Sequence, residues 1–293
     1  MNSRRSFIKQ TGLFVAGAAL LPSLPALAFA KPKKVAGLQL YSLRDLLPKD
    51  VKGVIKAVAE AGYGEVETYG YSKRDKFWGL DPKAFGDLLK QHGLRAPSGH
   101  YDMDGFIGTG NSDVLKTYIE AANILGSEYI TIPYLGDHLR KDLDGFKKVA
   151  ARLNEAGSLC KAAGLKLAYH NHDFEFKKFG ETTGYEVMLN ETDKKLVDFE
   201  MDLYWVVRSG NDPLKLFAAH PKRFTMWHVK DMDKTNHGLN TEVGKGAIDF
   251  KAIFAQAKQS GAKHFFVEHE TNYQPNELAS IKTSCEYLKA NLL

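Results

Sequence analysis

The run Phe224-Thr225-Met226-Trp227-His228 is short, apolar and strand-like, and it ends in a side chain that binds divalent metals. Two other runs in the C-terminal half share this design, Phe199-Glu200-Met201-Asp202 and Phe265-Phe266-Val267-Glu268. Each is followed by a helix-like stretch. If the three strands are parallel in one sheet, their final residues emerge at the same edge. The pattern therefore predicts a metal site at the carboxyl edge of a parallel sheet.

Strand-like and helix-like runs alternate along the rest of the chain. Strands are predicted at residues 35–40, 65–69, 95–100, 129–133, 166–170, 196–201, 224–229 and 264–267. Helix signals stand between them, such as Asp81-Pro82 at one start and Gly93 at the same helix's end. Eight strand–helix units predict an α/β fold, a (β/α)8 TIM barrel in a single domain over residues 31–293. A doubly wound open sheet would need a Gly-rich loop after the first strand, where the chain reads Tyr41-Ser42-Leu43-Arg44-Asp45.

The first 30 residues predict a twin-arginine export signal and hence a periplasmic protein. Ser3-Arg4-Arg5-Ser6-Phe7-Ile8-Lys9 precedes an Ala-, Gly- and Leu-rich stretch, and Ala28 and Ala30 fit a cleavage site before Lys31. The apolar stretch is too short for a membrane span and is broken by Pro22 and Pro25. We expect no membrane span in the mature chain.

Charge and cysteine content exclude some classes of protein. Removal of Arg4, Arg5 and Lys9 lowers the formal net charge from +5 to +2, which gives no electrostatic footprint for nucleic acid. The two cysteines, Cys160 and Cys285, have no CxxC spacing, and we expect two buried thiols. One disulfide between them is allowed but not required.

The predicted strand ends are rich in polar and metal-binding side chains. Imidazole and carboxylate without thiolate favour Mn²⁺, Mg²⁺, Co²⁺, Zn²⁺ or Fe²⁺ over a structural zinc site. A lone histidine is more often a satisfied polar group, but several on one rim indicate a site. The candidates are Gln39, Tyr41, Glu67, His100, His170, His172, Asp202, His228, Lys230, Glu268 and Glu270.

From about Lys34 to its end, the chain resembles the sugar phosphate isomerase/epimerase group of xylose isomerase-like barrels. The resemblance is carried by residues 61–67 (AGYGEVE), 167–175 (LAYHNHDFE), 227–231 (WHVKD) and 266–270 (FVEHE). It implies one divalent metal ion held by an acid of strand five and by Asp202, His228 and Glu268. At strand five this chain has His170 in place of the acid, with His172 as the alternative. Relatives that bind several zinc ions have a histidine where this chain has Trp205, so one ion is expected.

The resemblance also implies chemistry next to a carbonyl group. Two bases exchange a proton there in the epimerases, while the metal acts as a Lewis acid. A metal-bound His170 is a poor base, which favours one-sided proton abstraction by Glu268 and a dehydratase or keto-glycoside lyase reaction. Glu67, His172 or Lys230 could supply the second proton transfer. Glu67 could instead pair with Arg44 or another cation, and Lys230 with Asp202 or Glu200.

The expected partner is a small carbohydrate. Gln39, Tyr41, His100 and Trp205 are predicted to bind it. A periplasmic location and a rim without clustered arginines favour a free sugar, keto-sugar, cyclitol or oxidised glycoside over a sugar phosphate. Two other readings stay open. The first is a non-catalytic sugar-binding protein, and the second is an endonuclease IV-like DNA repair enzyme, which the charge and Trp205 disfavour. Homo-oligomerisation also stays open.

Overall fold

Eight parallel strands form the centre of the fold, as predicted, in a computed structural model that describes residues 35–293. The predicted export signal lies outside the described residues. The strands are β1 (Ala36–Gln39), β2 (Glu65–Thr68), β3 (Arg95–Gly99), β4 (Tyr129–Ile132), β5 (Lys166–His170), β6 (Val197–Asp202), β7 (Phe224–Val229) and β8 (His264–Val267).

The strands pair in the order β3-β2-β1-β8-β7-β6-β5-β4, and the gap between β3 and β4 is closed by fewer hydrogen bonds. His100 forms a parallel bridge with Thr131 there, and the Tyr101 amide donates to the Thr131 carbonyl over 2.9 Å. The sheet is therefore a nearly closed barrel, and the doubly wound alternative is excluded.

Helices connect the strands on the outside of the barrel. They span Val51–Glu60, Pro82–Gln91, Asp104–Thr109, Asp113–Leu125, Leu143–Ala162, Gly184–Glu191, Leu203–Arg208, Pro213–Ala219, Phe250–Ala255, Ala257–Ser260 and Glu277–Asn291. Aspartates cap several of them, and Asp81 accepts from the Ala84 amide over 2.9 Å as its position before Pro82 predicted. None of the helices in the described part of the chain is long and apolar enough to cross a membrane.

Two hydrophobic clusters fill the interior. The larger lies between strands and helices and includes the free, buried Cys160 and Cys285. The smaller consists of Tyr129, Ala168, Met226 and Phe266, all of them fully buried. Because side chains alternate along a strand, Ala168, Met226 and Phe266 share a face with His170, His228 and Glu268, two residues further on. The small cluster thus forms an apolar layer within the barrel, next to the polar residues of the strand ends.

Strand register fixes which polar residues become neighbours. Asp202 of β6 stands opposite His228 of β7, and Phe266 of β8 stands opposite His228 as well. Gly37 of β1 pairs with Phe266, whose ring would lie 2.4 Å from a Cβ at position 37. A glycine at this place lets the aromatic ring fill the barrel.

Candidate metal centre

Four side chains from consecutive strands β5 to β8 meet at the carboxyl end of the barrel. His170, Asp202, His228 and Glu268 each offer one ligand atom, and these atoms lie within 4.8 Å of one another. His228 Nδ1 is 3.1 Å from Glu268 Oε2 and 3.9 Å from Asp202 Oδ2, and His170 Nε2 is 3.6 Å from the same Asp202 oxygen. All four residues are buried. The structure thus brings together the four residues proposed as ligands from the sequence, with His170 rather than His172 in the group.

Two atoms of this group point into the shared space without a partner. Asp202 Oδ2 and His170 Nε2 are buried, and neither has a hydrogen-bond partner among the described residues. The other Asp202 oxygen accepts from the Trp205 amide over 2.9 Å and caps the helix that starts at Leu203. Leaving buried polar atoms unsatisfied costs about 1–3 kcal/mol each. A bound cation would satisfy both of them.

Hydrogen bonds on the far side of each imidazole fix the nitrogen that faces this space. His170 Nδ1 lies 3.2 Å from the Pro133 carbonyl oxygen, so Nδ1–H donates and Nε2 keeps its lone pair. His228 Nε2 lies 2.7 Å from Glu67 Oε2, which leaves Nδ1 to face Glu268 and Asp202. Metal-bound histidines commonly have their second nitrogen held in this way. Two imidazoles and two carboxylates fit a hard or borderline divalent ion.

The pKa shifts of His170 and Glu268 agree with the protonation states that metal binding requires. Burial, with the nearby His228 and His100, lowers the pKa of His170 to about 3, so this imidazole is neutral. Burial raises the pKa of Glu268, but Lys230 and His228 outweigh it and hold the pKa well below its usual range. Ligands must be deprotonated to bind a metal ion, and these two are. At the other two ligands an ion would have to displace protons: burial would lower the pKa of His228, but Glu200 and Glu268 raise it well above its usual range, and burial raises the pKa of Asp202.

Lys230 links two carboxylates of the site. Its ammonium donates to Glu268 Oε2 over 3.1 Å and to Glu270 Oε1 over 2.7 Å, and it stands 3.8 Å from Asp202. It also lies 5.3 Å from the centre of the Trp205 ring. The structural pairing with Asp202 considered from the sequence is therefore present, whereas the main partners are Glu268 and Glu270.

A second polar layer lies behind His228. Glu67 is fully buried and accepts from Gln39 Nε2 over 2.6 Å and from the Ser98 hydroxyl. The pairing of Glu67 with Arg44 is wrong, because the Arg44 guanidinium donates to the carbonyl of Glu270 over 2.8 Å, and the partners of Glu67 are instead His100 and His228. Gln39 is buried as well, so it holds Glu67 in place instead of lining the cavity.

Glu200 joins this layer, although it was considered from the sequence only as a structural partner of Lys230. His100 Nε2 lies 2.8 Å from Glu200 Oε2 and 3.1 Å from Glu67 Oε2. Burial would lower the pKa of His100, but the two carboxylates raise it to about 9. Burial would raise the pKa of Glu67, but the imidazoles of His100 and His228 hold it well below its usual range. Glu200 stands two residues before Asp202, so the alternation of the strand could have revealed that both face inward.

A cavity of about 650 Å³ opens beside the four predicted ligands. Tyr41, His100, His172 and Trp205 line it, as their predicted roles require, together with His170 and Glu268. Gln39, Glu67 and Lys230 lie deeper and are fully buried. The sequence analysis missed part of the wall, which consists of Gly70, Tyr71, Ser72, Asp102, Tyr118, Pro133 and Tyr134. Most of these belong to loops, where no periodic pattern marks them.

A buried acid supports the wall at His172. Glu175 Oε2 accepts from the His172 amide over 2.9 Å, and Glu175 Oε1 accepts from the Tyr169 hydroxyl over 2.7 Å. The His172 ring stacks on Phe174 with a centroid distance of 5.6 Å and lies 5.6 Å from Trp205. His172 is therefore a wall residue beside the ligands. Its pKa is well below the usual range because it is buried, so it is neutral.

Comparisons with known proteins agree with this fold. A family model described as xylose isomerase-like TIM barrel matches residues 55–291. Inosose dehydratase of Clostridium perfringens is 30% identical over 171 residues, 47% of this chain and 57% of that protein, so the match spans little more than half of the relative.

Solved structures give fuller coverage. A sugar phosphate isomerase/epimerase from Parabacteroides distasonis is 28% identical with a TM-score of 0.77, over 92% of this chain and 98% of that one. An IolI protein with a bound zinc atom has a TM-score of 0.69 over 88% of this chain and 98% of that one, and at 15% identity it shows the fold alone.

Proposed function

We propose that this protein, which belongs to the xylose isomerase-like TIM barrel family, is a divalent-metal-dependent enzyme that acts on a non-phosphorylated sugar, cyclitol or oxidised glycoside. The reaction begins with removal of a proton next to a carbonyl group. One observation carries the proposal. Asp202 Oδ2 and His170 Nε2, both buried and unpartnered among the described residues, converge with His228 and Glu268 at the wall of an aromatic cavity.

The metal ion, when bound, supplies Lewis acidity that lowers the pKa of the carbon next to a substrate carbonyl. His170, Asp202, His228 and Glu268 would hold it. Glu268 is ionised and is the proposed base, and Lys230 keeps it ionised from 3.1 Å away. On the same wall, burial raises the pKa of Glu270 while Lys230 opposes the rise, and a raised pKa suits a group that donates a proton.

These groups support an elimination reaction. Glu268 takes the proton, and the electron pair of the C–H bond moves to the carbonyl as an enolate. The enolate then expels the substituent on the neighbouring carbon with its bonding electrons, and Glu270 protonates this leaving group. The product is an unsaturated ketone plus water or an alcohol. Isomerisation or epimerisation would instead return the proton to carbon, and it shares the first step.

The cavity wall supports the substrate class. None of the described residues that line it is Arg or Lys, whereas Asp102, Glu268 and Glu270 are acidic, and a phosphate group would be repelled there. Tyr41 and Tyr69 meet edge to face at 5.1 Å on one side, and Tyr134 and His172 meet at 5.4 Å on another. Aromatic faces of this kind pack against the C–H faces of sugar rings. Inosose dehydratase, the relative from Clostridium, is named for a cyclitol ketone.

Export by the twin-arginine route to the periplasm is a second part of the proposal, supported by Ser3-Arg4-Arg5-Ser6-Phe7 and the apolar stretch after it. Fractionation of cells and N-terminal sequencing of the mature protein test it. Full-length protein confined to the cytoplasm would refute it.

The function is tested by loading the purified protein with Mn²⁺, Co²⁺, Mg²⁺ or Zn²⁺ and incubating it in D₂O with keto-sugars, inososes and 3-keto-glycosides. NMR distinguishes an unsaturated elimination product from an isomer or an epimer. We expect turnover in the wild type and in the surface variant Glu286→Gln, and none in Glu268→Gln. A protein that binds a sugar but never exchanges its carbon-bound proton would be a binding protein, and activity on sugar phosphates alone would refute the substrate class.

A further inference from the structure

Four buried ligand atoms converge a second time, on the opposite side of the His228 ring. They are Glu67 Oε2, His100 Nε2, Glu200 Oε2 and His228 Nε2. His228 Nε2 is 2.7 Å from the Glu67 oxygen and 3.2 Å from the Glu200 oxygen, and His100 Nε2 is 3.1 Å and 2.8 Å from the same two. Glu67, Glu200 and His228 are completely buried.

Hydrogen bonds account for only part of this arrangement. Each Nε2 atom carries at most one proton, so two N–H groups serve four contacts of 3.2 Å or less. The two carboxylate oxygens face the same pair of nitrogens and repel each other. Glu200 Oε1 is buried and has no partner among the described residues. The group therefore leaves one buried carboxylate oxygen without a donor.

The local charge is also unbalanced. Five carboxylates lie in or beside the two groups, and Lys230 is the only lysine or arginine among the described residues that pairs with any of them through its side chain. The acids are Glu67, Glu200, Asp202, Glu268 and Glu270. One divalent cation in the first group, Lys230 and a protonated His100 together balance four of the five carboxylates, so a net negative charge remains whenever Glu270 is ionised. Buried charges without a counter-charge are costly, which favours another cation in this layer.

We propose that Glu67, His100, Glu200 and His228 form a second divalent-metal site, so that the His228 ring bridges two ions, one at Nδ1 and one at Nε2. Two imidazole nitrogens and two carboxylate oxygens suit Zn²⁺, Co²⁺ or Mn²⁺. Neighbouring ligand atoms of a tetrahedral zinc ion stand about 3.3 Å apart, close to the contacts in this group. The site shares only His228 with the one that the proposed function uses, and its ion would bind the Nε2 atom of that ring.

Metal counting tests the proposal directly. Chelator-treated, full-length protein is titrated with Co²⁺ or Zn²⁺, freed of loose metal by gel filtration and analysed by mass spectrometry. We expect about two ions per chain in the wild type. Glu200→Gln and Glu67→Gln are each expected to lose one of the two, whereas Glu175→Gln, which changes a buried carboxyl outside both groups, keeps both.

Electron paramagnetic resonance of the wild type with Cu²⁺ adds a readout that needs no variant. Two copper ions joined by one imidazole couple magnetically, so the signal at two equivalents is expected to differ from twice the signal at one. Saturation at one ion per chain would overturn the proposal, as would a second ion that both Glu200→Gln and Glu67→Gln retain. Turnover by a protein that saturates at one ion per chain would refute this second site and leave the proposed function standing.

Discussion

Replacement of Glu175 by Gln is expected to stabilise the protein at alkaline pH. Glu175 is completely buried, and burial raises the pKa of its carboxyl to about 8, although hydrogen bonds from Tyr169 and His172 oppose the rise. A neutral carboxyl group has the same shape as a Gln amide. In the variant, the amide oxygen can accept from the His172 amide and the amide nitrogen can donate to the Tyr169 oxygen, so both native contacts are kept.

The magnitude follows from proton linkage. In the folded protein the carboxyl of Glu175 holds its proton up to about pH 8, whereas its ordinary pKa is 4.5. The folded state therefore binds more protons between these values, and the free energy of unfolding falls as pH rises through that window. The slope is at most about 1.4 kcal/mol per pH unit over about 3.5 units, so the upper limit is roughly 5 kcal/mol. Glu175→Gln has no ionisable group at this position, so its free energy of unfolding does not fall for this reason.

Urea unfolding of both proteins at several pH values from 5 to 9 measures the effect. The difference between variant and wild type in the free energy of unfolding is expected to grow in favour of the variant as pH rises and to level off above about pH 8, because all other titrating groups are common to both. For Glu286→Gln, a change at an exposed helical position, the difference from the wild type in the free energy of unfolding should not change with pH. A flat difference for Glu175→Gln as well would refute the argument that burial keeps this carboxyl protonated.

Three further substitutions probe the site. Glu268→Gln should abolish turnover and leave near-ultraviolet circular dichroism unchanged, since Glu268 lies at the barrel's end; retained activity would remove it from the mechanism. Lys230→Met leaves Glu268 and Glu270 without their ammonium and should lower the free energy of unfolding of the metal-free protein by about 3 kcal/mol in urea; an unchanged value would mean that the two acids need no counter-charge. Trp205→Ala removes part of the aromatic wall and should raise KM more than it lowers kcat in steady-state assays; a selective fall in kcat would place the ring at the reacting atoms instead.

The barrel could be predicted from the sequence because each strand is a short apolar run with clear boundaries. Predicted and observed limits agree at β5, β7 and β8, and β6 runs one residue further than predicted, to Asp202. The helices Asp104–Thr109 and Leu203–Arg208 were missed. Both are six residues long, less than two turns, so a repeat of 3.6 residues cannot become visible in them.

The ligand group could be predicted because parallel strands place their last residues together. The choice between His170 and His172 could not, since residues two apart share a face while the strand continues. The strand ends at His170, and a turn at Phe174–Phe176, held through Glu175, moves His172 to the cavity wall. The convergence of Glu67 and Glu200 depends on contacts between distant strands, which no local pattern in one sequence encodes.

The imidazole at position 170 is built into the site and bears on the type of reaction. Its Nδ1–H faces the Pro133 carbonyl oxygen at 3.2 Å, where a carboxylate would set oxygen against oxygen without a proton between them. A glutamate in this position would therefore lose its support as well as change the ligand charge. His170 and His172 are both neutral, and His170 donates from Nδ1 to Pro133 while its Nε2 faces the ligand group, so the proposed base of the cavity wall is Glu268, with Glu270 beside it as the proposed proton donor. Proton transfer from one side only is what an elimination needs, whereas epimerisation requires a second base on the opposite face of the substrate.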